Sequence, residues 1–258
     1  MGLLDGKTIL VMGVANKRSI AWGIAKACYD QGARLAFTYQ GERQKDNLVD
    51  LVKEQMNGSD FLMVQCDVTD DASVADAFAE IQDKVGTLHG LAHCIAFAKT
   101  EELQGEYINT SRDGYLLAQN VSAYSFVISA RHARPLMTEG GSILTLTYLG
   151  GERVVENYNV MGVAKAALDQ SMRYLASNMG KDNVRVNAIS AGPIRTLSAK
   201  GVHDFNKILH TLEERTPLRR PTNQEEVGDV AAFLFSDLSR GVTGEVIHVD
   251  GGFHIIGF

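Results

Sequence analysis

The feature that most restricts the fold of this chain is a regular alternation of short apolar runs with longer amphipathic stretches. The first run, Lys7–Gly13, reads KTILVMG, and a helical pattern follows it over Ile20–Asp30. Strands and helices that alternate at this spacing build βαβ units, in which parallel strands share one sheet and helices cover both of its faces. Because both faces are then covered, strands that are apolar almost throughout fit this arrangement.

The alternation continues along the chain. Strands are predicted at Lys7–Gly13, Arg34–Tyr39, Asp60–Cys66, His89–Ile95, Ser142–Leu146, Val184–Ile189 and Gly244–Val249. Helices are predicted at Ile20–Asp30, Arg43–Met56, about 72–84, Arg112–Arg134 and from Val163 onward. The 258 residues include only 4 prolines and no low-complexity tract, so we predict one domain spanning 1–258. Its predicted fold is a single doubly wound Rossmann-type α/β domain, with a seven-stranded parallel sheet and helices on both faces.

Composition narrows the class of protein. The net charge of −6 argues against a nucleic-acid partner, since binding to phosphates favours a basic surface. No apolar run approaches the roughly 18 residues of a membrane span, and no signal peptide is expected. The cysteines, Cys28, Cys66 and Cys94, are odd in number and far apart, and are expected to be reduced and buried. These features predict a soluble cytoplasmic protein without a membrane partner.

The first strand-to-helix junction lies where a doubly wound fold binds a dinucleotide, with backbone N–H groups facing the pyrophosphate. Gly13 would permit a sharp exit from the strand, Ser19 offers a hydroxyl, and Gly23 would let the helix pack closely on the strand. The segment is not G-x-G-x-x-G, so an ordinary turn capped by Ser19 remains an alternative.

Residues that follow the second and third strands indicate which nucleotide is bound and where its adenine lies. Gln40 can hydrogen-bond a ribose 2′-hydroxyl, which favours NADH, whereas Arg43 and Lys45 would tolerate the 2′-phosphate of NADPH. Asp67, after the third strand, either receives the adenine amino group or caps the following turn. His89 and His93 are spaced i, i+4, but no third ligand is spaced to complete a metal site, so none is expected.

The stretch from Tyr148 to Leu168 carries the clearest catalytic pattern. On a helix, seven steps return Lys165 to the face of Tyr158, and Met161 lies on that face between them. Spacing alone also allows a core helix with a solvated lysine. Tyr148 follows the fifth strand, at the sheet edge where ligands bind. After the sixth strand, Pro193 precedes a segment whose apolar spacing predicts a mobile lid at about 194–212.

Taken together, these residues resemble the enoyl-[acyl-carrier-protein] reductase family of bacterial type II fatty acid synthesis, a divergent branch of the short-chain dehydrogenase/reductase superfamily. The resemblance covers essentially the whole chain. Its specific parts are the stretch GVANKRSIAWGIA from Gly13, Tyr158 separated from Lys165 by six residues, SAGPIRTL from Ser190, and GEVIHVDGG from Gly244.

The resemblance implies NADH-dependent reduction of a trans-2-enoyl thioester, with NADPH not excluded. A typical superfamily member places its tyrosine four residues before the lysine, where this chain has Met161. Methionine cannot protonate an alkoxide, but an enoyl reductase only needs to stabilise charge on the thioester oxygen. A carbonyl reductase, such as a 3-ketoacyl reductase, and a non-catalytic dinucleotide sensor remain the alternatives.

By the same resemblance, the catalytic residues are Tyr158, Lys165 and Tyr148: Tyr158 stabilises the enolate, and Tyr148 shapes the pocket and assists it. Lys165 holds the nicotinamide ribose, and its cation favours a polarised Tyr158 hydroxyl. The expected cofactor contacts are Gly13, Ser19, Ile20, Gln40, Asp67, Val68, Ile95, Lys165, Ile194, Arg195, Thr196, Leu197 and Ser198. The expected substrate contacts are Ala98, Tyr148, Tyr158, Met161 and Phe205.

The family's partner is an acidic acyl carrier protein, for which Lys200, His203 and Lys207, and less firmly Arg219 and Arg220, are candidate contacts. An ordinary solvated face is the alternative. The family is usually a homotetramer, and the apolar tail Phe253–Phe258 fits burial between subunits.

Overall fold

The sheet is the frame of the molecule. A computed structural model describes residues 2–56, 61–196 and 214–257. Within these ranges it has one sheet of seven parallel strands in the order β3-β2-β1-β4-β5-β6-β7. The strands are β1 Thr8–Met12, β2 Arg34–Tyr39, β3 Leu62–Gln65, β4 Gly90–His93, β5 Gly141–Thr147, β6 Val184–Ala191 and β7 Val246–Val249. The predicted doubly wound fold is confirmed.

Helices connect the strands across both faces. They are α1 Ile20–Asp30, α2 Glu42–Gln55, α3 Asp71–Val85, α4 Arg112–Gln119, α5 Ser125–Ala133, α6 Asn159–Met179 and α7 Gln224–Phe235. A single π-helical turn, Asn120–Tyr124, joins α4 to α5. Helix α1 has the predicted bounds, and α2 and α3 lie within one residue of theirs.

The strand order creates a switch point at the centre of the sheet. From β1 the chain winds outward to β2 and β3, then returns to place β4 on the opposite side of β1. Met12 therefore pairs with Thr38 on one side and His93 on the other. Chain segments leaving β1 and β4 diverge at their carboxyl ends and open a crevice there, which is where open α/β sheets bind ligands.

Alternate residues of each strand supply two separate cores. In β1, Ile9 and Val11 face the layer formed with α1, α2 and α7, whereas Leu10 and Met12 face the layer of α3, α5 and α6. All of these side chains are fully buried. Both faces of the sheet are thus covered, as the apolar strands predict.

One helix is additional to the predicted elements, and two local predictions are corrected. Helix α7 was not predicted at all. The helix predicted over Arg112–Arg134 is interrupted by the π-helical turn. Gly23 does let α1 pack closely, but against α7 and not against the strand, because a Cβ on Gly23 would lie 2.5 Å from the Gln224 carbonyl oxygen.

Some predictions concern residues beyond those described. The lid expected at about 194–212 falls outside the described residues from 197 onward, as do Leu197, Ser198, Phe205 and Phe258. Lys200, His203 and Lys207 lie there too. No helix among the described residues is long and apolar enough to cross a membrane. The cysteines are unpaired, as expected, although Cys94 is only partly buried.

Candidate functional site

A cleft of about 580 Å³ opens at the carboxyl edge of the sheet, over the switch point between β1 and β4. Its size is in the usual range for a cofactor or substrate site. It brings together most of the residues singled out by the sequence: Gly13, Ser19, Ile20, Ile95, Ala98, Tyr148, Tyr158, Met161, Lys165, Ile194 and Thr196. The tertiary structure thus joins the glycine junction and the tyrosine–lysine stretch in one site.

Gly13 forms the floor of the cleft at the end of β1. Its φ of +93° is a conformation that L side chains rarely adopt, and a Cβ would lie 2.3 Å from the Cys94 carbonyl oxygen. Glycine is therefore required both for the sharp exit and for the close approach of the chain after β4. This confirms the predicted sharp turn, with Cys94 as the neighbour.

Ser19 begins helix α1 beside this floor. Its hydroxyl donates to the Asn16 carbonyl at 2.7 Å and accepts from the Trp22 N–H at 3.3 Å. Ser19 is therefore a true N-cap, as the alternative of a capped turn requires. A capped helix end aimed at a cleft also offers its first-turn N–H groups to an anion, so the cap and a phosphate site are compatible.

Tyr148 and Tyr158 face each other across the upper wall. Their ring centroids lie 5.0 Å apart with an interplanar angle of 71°, an edge-to-face contact. Tyr148 directly follows β5, and Tyr158 is the residue immediately before α6. The sequence analysis treated Tyr158 as part of the helix, and the structure places it at the helix N-cap instead. Met161, only 8 % exposed, completes this wall from the first turn of α6.

Lys165 lies deeper, two turns into α6. It is 6 % exposed and its ammonium donates to the Leu146 carbonyl at 2.7 Å. Burial lowers its pKa to about 8, with the nearby Asp169 opposing that effect. Asp169 is itself 4 % exposed, and burial raises its pKa. The alternative of a solvated lysine on a core helix is therefore excluded, since this side chain is buried.

The electrostatics of Tyr158 differ from the expectation. Burial raises the pKa of Tyr158, and the neighbouring Tyr148 and Asp169 raise it further. Burial thus outweighs any effect that the Lys165 cation has on the pKa of this phenol. Burial and Asp250 likewise raise the pKa of Tyr148. Both hydroxyls keep their protons at neutral pH and can serve as hydrogen-bond donors.

The residues predicted to bind the adenosine end lie outside the lining of the cleft. Gln40 donates to Asp67 at 3.2 Å, joining the ends of β2 and β3. The other carboxylate oxygen of Asp67 accepts from the Thr69 N–H and hydroxyl, so Asp67 does cap the following turn. Val68 follows it and is buried. Arg195 is exposed and lines a neighbouring pocket with Arg18.

The two histidines do not form a pair. His93 is fully buried, with Nε2 2.8 Å from the Ser125 hydroxyl and Nδ1 3.3 Å from that of Thr145. His89 lies before β4 and accepts the Thr8 N–H through Nδ1 at 3.0 Å. No group of three or more metal-ligating side chains occurs in the described part of the chain.

The structure adds site residues that the sequence analysis did not assign to the lining. They are mainly backbone-exposing positions on the turns after β1, β4, β5 and β6: Ala15, Asn16, Ala21, Cys94, Ala96, Phe97, Thr100, Leu103, Leu146, Thr147, Val155, Ala191, Gly192 and Pro193. Their common signal is position, since all of them except Ala21, in the first turn of α1, lie near the carboxyl end of a strand or in the loop after it.

The loop after β4 is held in place by a side chain of the π-helical turn. The hydroxyl of Ser122, in the π-helical turn, accepts from the Phe97 N–H at 3.0 Å and lies 3.1 Å from the Phe97 carbonyl, to which it donates. Ser122 is fully buried. A single side chain thus fixes both backbone polar groups next to Ala98.

Comparison with known proteins identifies the family of this chain. A family model described as Enoyl-(Acyl carrier protein) reductase matches residues 13–254. The chain is 63% identical over 257 residues to the enoyl-[acyl-carrier-protein] reductase [NADH] of Bacillus cereus, covering 100% of both chains. It is 56% identical over 253 residues to the [NADPH] enzyme of Staphylococcus aureus, covering 98% of each.

The fold agrees as closely. The crystal structure of the Bacillus cereus enoyl-acyl carrier protein reductase with NADP+ and indole naphthyridinone superposes with a TM-score of 0.98 at 63% identity, covering 100% of both chains. Family match, full-length identity and fold coincide. This chain belongs to the enoyl-[acyl-carrier-protein] reductase family.

Proposed function

We propose that this chain, an NAD(P)H-dependent enoyl-[acyl-carrier-protein] reductase, reduces the double bond of a trans-2-enoyl thioester to give the saturated acyl thioester. The observation that carries the detailed proposal is the wall on which Tyr158, Met161 and Lys165 lie together beside Tyr148. It offers protonated hydroxyls and a buried cation in an otherwise apolar setting, where such donors act most strongly.

The lower part of the cleft suits a dinucleotide. Gly13 allows close backbone approach, Ser19 caps a helix whose first turn lines the cleft, and Ile95 flanks it from the end of β4. Lys165 would hold the nicotinamide ribose hydroxyls through the ammonium protons that do not face Leu146. When bound, the reduced nicotinamide supplies the hydride.

The upper part of the cleft suits the thioester. As hydride reaches the β-carbon, negative charge collects on the thioester oxygen, and the Tyr158 hydroxyl donates a hydrogen bond to it. Because burial raises the pKa of Tyr158, this proton stays in place throughout the neutral range. Tyr148 packs edge-on against Tyr158 and limits where its ring can lie. Met161 and Ala98 present apolar surface to the acyl chain.

Met161 separates this proposal from its nearest alternative. A carbonyl reductase must protonate an alkoxide, but the position four residues before Lys165 offers only a thioether. A non-catalytic dinucleotide sensor would have no need for Tyr158 and Lys165 together in one cleft.

The test follows oxidation of the reduced nicotinamide by absorbance, with a trans-2-enoyl thioester as substrate. NADH and NADPH are compared in parallel, and an acetoacetyl thioester is the control. We expect turnover with the enoyl substrate only. Turnover with the keto substrate instead would assign the chain to the carbonyl reductases, and no turnover with either would favour the sensor.

The choice of nucleotide rests on the ends of β2 and β3. Gln40 donates to Asp67, and we infer that the Gln40 amide meets the ribose 2′-hydroxyl while the Asp67 carboxylate meets the adenine amino group. Arg43 and Lys45 on α2 could balance a 2′-phosphate. We propose NADH as the preferred cofactor with NADPH accepted, and the parallel assay measures that preference directly.

The partner, assembly and location follow from the family. We propose a cytoplasmic homotetramer that takes its substrate from acyl carrier protein. Ile255 in the tail is 67% exposed in the single chain, and an interface would cover it. Arg220 is paired with Glu226, which leaves Arg219 as the freer candidate for the carrier protein. The single-domain organisation over 1–258 and the lid at about 194–212 stay predictions.

A further inference from the structure

We propose that Gly150 is a positioning residue for the reaction, because the absence of a side chain there creates the space in which the Tyr158 ring lies. The inference rests on the proposed role of Tyr158 as the donor to the thioester oxygen. It extends that role to Gly150, which contributes no functional group of its own. The backbone conformation at position 150 does not explain why the residue is glycine.

The contacts at Gly150 are made by the two site tyrosines. A Cβ built on Gly150 would lie 2.4 Å from Cδ1 and 2.7 Å from Cε1 of Tyr158, and 3.2 Å from Cδ1 of Tyr148. Carbon atoms in contact are normally about 3.5–4.0 Å apart, so the Tyr158 ring and a methyl group cannot share this space. These are the three nearest atoms to that position.

Backbone conformation does not account for the glycine. Gly150 is not among the glycines of positive φ, so an L side chain could adopt its backbone angles. Gly13, by contrast, needs its glycine for both its φ of +93° and the nearby Cys94 backbone. What requires glycine at position 150 is the ring of Tyr158.

The backbone at this point has little freedom to retreat. The Gly150 carbonyl packs against Gly162 in the first turns of α6. It lies so close that a Cβ built on Gly162 would be only 2.7 Å from the Gly150 carbonyl oxygen. A Cβ on the adjacent Gly151 would lie 3.1 Å from the Ala166 nitrogen and the Lys165 carbonyl carbon. With the segment held against α6 at two consecutive residues, a methyl group at Gly150 must displace the ring.

Displacing the ring moves the hydroxyl that meets the substrate. The Tyr158 hydroxyl lies at the far end of the ring, so a small tilt near Cδ1 shifts it by a larger distance. Lys165 and the floor around Gly13 are not among the three atoms nearest to the added methyl, all of which belong to the two tyrosines. Gly150→Ala should therefore impair turnover much more than cofactor binding.

The decisive experiment is a double-mutant cycle on kcat with Gly150→Ala, Tyr158→Phe and the double variant, together with the dissociation constant for NADH. We expect Gly150→Ala to lower kcat about 100-fold, the loss typical of a misplaced catalytic group. NADH binding should change less than about 2-fold, and Tyr158→Phe should cost several-fold less in the Gly150→Ala background. Full activity of Gly150→Ala, or losses that simply multiply, would overturn the inference.

A second double-mutant cycle measures stability and not activity. It tests whether a methyl group at position 150 and the Tyr158 ring compete for the same space. Gly150→Ala should lower the denaturant midpoint of unfolding much more in the wild-type background than in Tyr158→Ala, where the ring is gone and only the 3.2 Å approach to Tyr148 remains. If Gly150→Ala alone gives no soluble protein, recovery in the Tyr158→Ala background supports the same conclusion. An equal loss in both backgrounds contradicts it. Gly180→Ala is the matched control, since a Cβ there has no neighbour within 4 Å.

The two cycles separate this inference from the proposed function. If Tyr158→Phe alone leaves kcat unchanged, Tyr158 is not the donor, and both the proposed role and the positioning role fail. If Tyr158→Phe lowers kcat while Gly150→Ala does not, only the positioning role fails.

Discussion

At the scale of single residues, Tyr158 carries the proposed chemistry. We expect Tyr158→Phe to lower kcat about 100-fold or more, the usual loss when one donor to a developing oxyanion is removed. The dissociation constant for NADH should stay nearly unchanged, because the ring and its contact with Tyr148 are retained. Tyr174→Phe, on the exposed face of α6 at 67% exposure, is the control. An unchanged rate in Tyr158→Phe would remove this hydroxyl from the mechanism.

Lys165 sets the predicted pH dependence of cofactor binding. Its pKa is lowered to about 8 by burial, so the ammonium is present below that pH and is lost as the pH rises through it. If the ammonium holds the ribose, the dissociation constant for NADH should be flat from pH 6 to about 7.5 and rise above about 8, approaching tenfold per pH unit. Titration by cofactor fluorescence measures this directly.

Lys165→Met is the control for that titration. It should bind NADH more weakly than wild type and with no rise near pH 8. Because burial raises the pKa of Tyr158, its ionisation cannot produce the same limb. A rise near pH 8 that persists in Lys165→Met would mean that another group is responsible.

At the scale of elements, the π-helical turn Asn120–Tyr124 has an identifiable use. Such turns are rare and often lie at functional sites. Here the turn brings Ser122 to Phe97, where its hydroxyl bonds to both the N–H and the carbonyl of that residue. The loop after β4 is therefore anchored on its inner side, next to the cleft-lining Ala98.

Ser122→Ala should loosen that loop. Two backbone groups of Phe97 lose their partner, at a cost of about 1–3 kcal/mol in the free energy of unfolding. KM for the enoyl thioester should rise several-fold while the dissociation constant for NADH changes little. Denaturant unfolding and steady-state kinetics measure the two effects.

Ser171→Ala, which removes an ordinary intrahelical bond to Ala167, is the control and should cost about 0.5 kcal/mol or less. Equal behaviour of the two variants would contradict the anchoring role.

Helix α7 shows what sequence patterns can miss at this scale. Its N-terminus has a full capping box, in which Asn223 accepts from the Glu226 N–H and the Glu226 carboxylate accepts from the Asn223 N–H. Asn-x-x-Glu before an apolar run is a recognisable start signal. The capping box thus marks the start of α7, the helix against which Gly23 lets α1 pack closely.

At the scale of the whole molecule, the switch point is tied together by a buried histidine. His93 ends β4 and reaches Thr145 on β5 and Ser125 on α5. Burial, with Lys165 adding to it, lowers its pKa from 6.5 to about 3. The folded protein thus holds His93 neutral, whereas the unfolded chain binds a proton below about pH 6.5.

This difference predicts acid sensitivity. Between pH 6.5 and 3 the unfolded state binds more protons, so the free energy of unfolding should fall with falling pH, by about 1.4 kcal/mol per pH unit well below 6.5. Denaturant unfolding at pH 7, 6 and 5 measures the slope. His93→Gln keeps hydrogen-bonding groups but cannot titrate, so its slope should be smaller by about one proton. A wild-type slope in His93→Gln would show that other groups dominate.

The sequence by itself determined the repeating strand–helix units, their parallel sheet and the family. These follow from local patterns: apolar runs such as Lys7–Gly13, helix starts such as Ser19, and motifs such as Tyr158 with Lys165. Each depends on neighbours within a few residues of one another, which is the range over which hydrophobic periodicity and capping act. The sequence also identified 11 of the 25 residues that line the described part of the cleft, including both tyrosines and the lysine.

Only the tertiary structure decided which groups meet and in what electrostatic setting. Burial turned Lys165 from a strong base into a group with a pKa of about 8 and raised the pKa of Tyr158, and no spacing rule reports the depth of a side chain. The hydrogen bonds between Ser122 and the Phe97 backbone join residues that are 25 positions apart in the sequence. The space at Gly150 exists because α6 and the turn after β5 pack together. Such contacts depend on how whole elements are packed, and that information is absent from any single stretch of sequence.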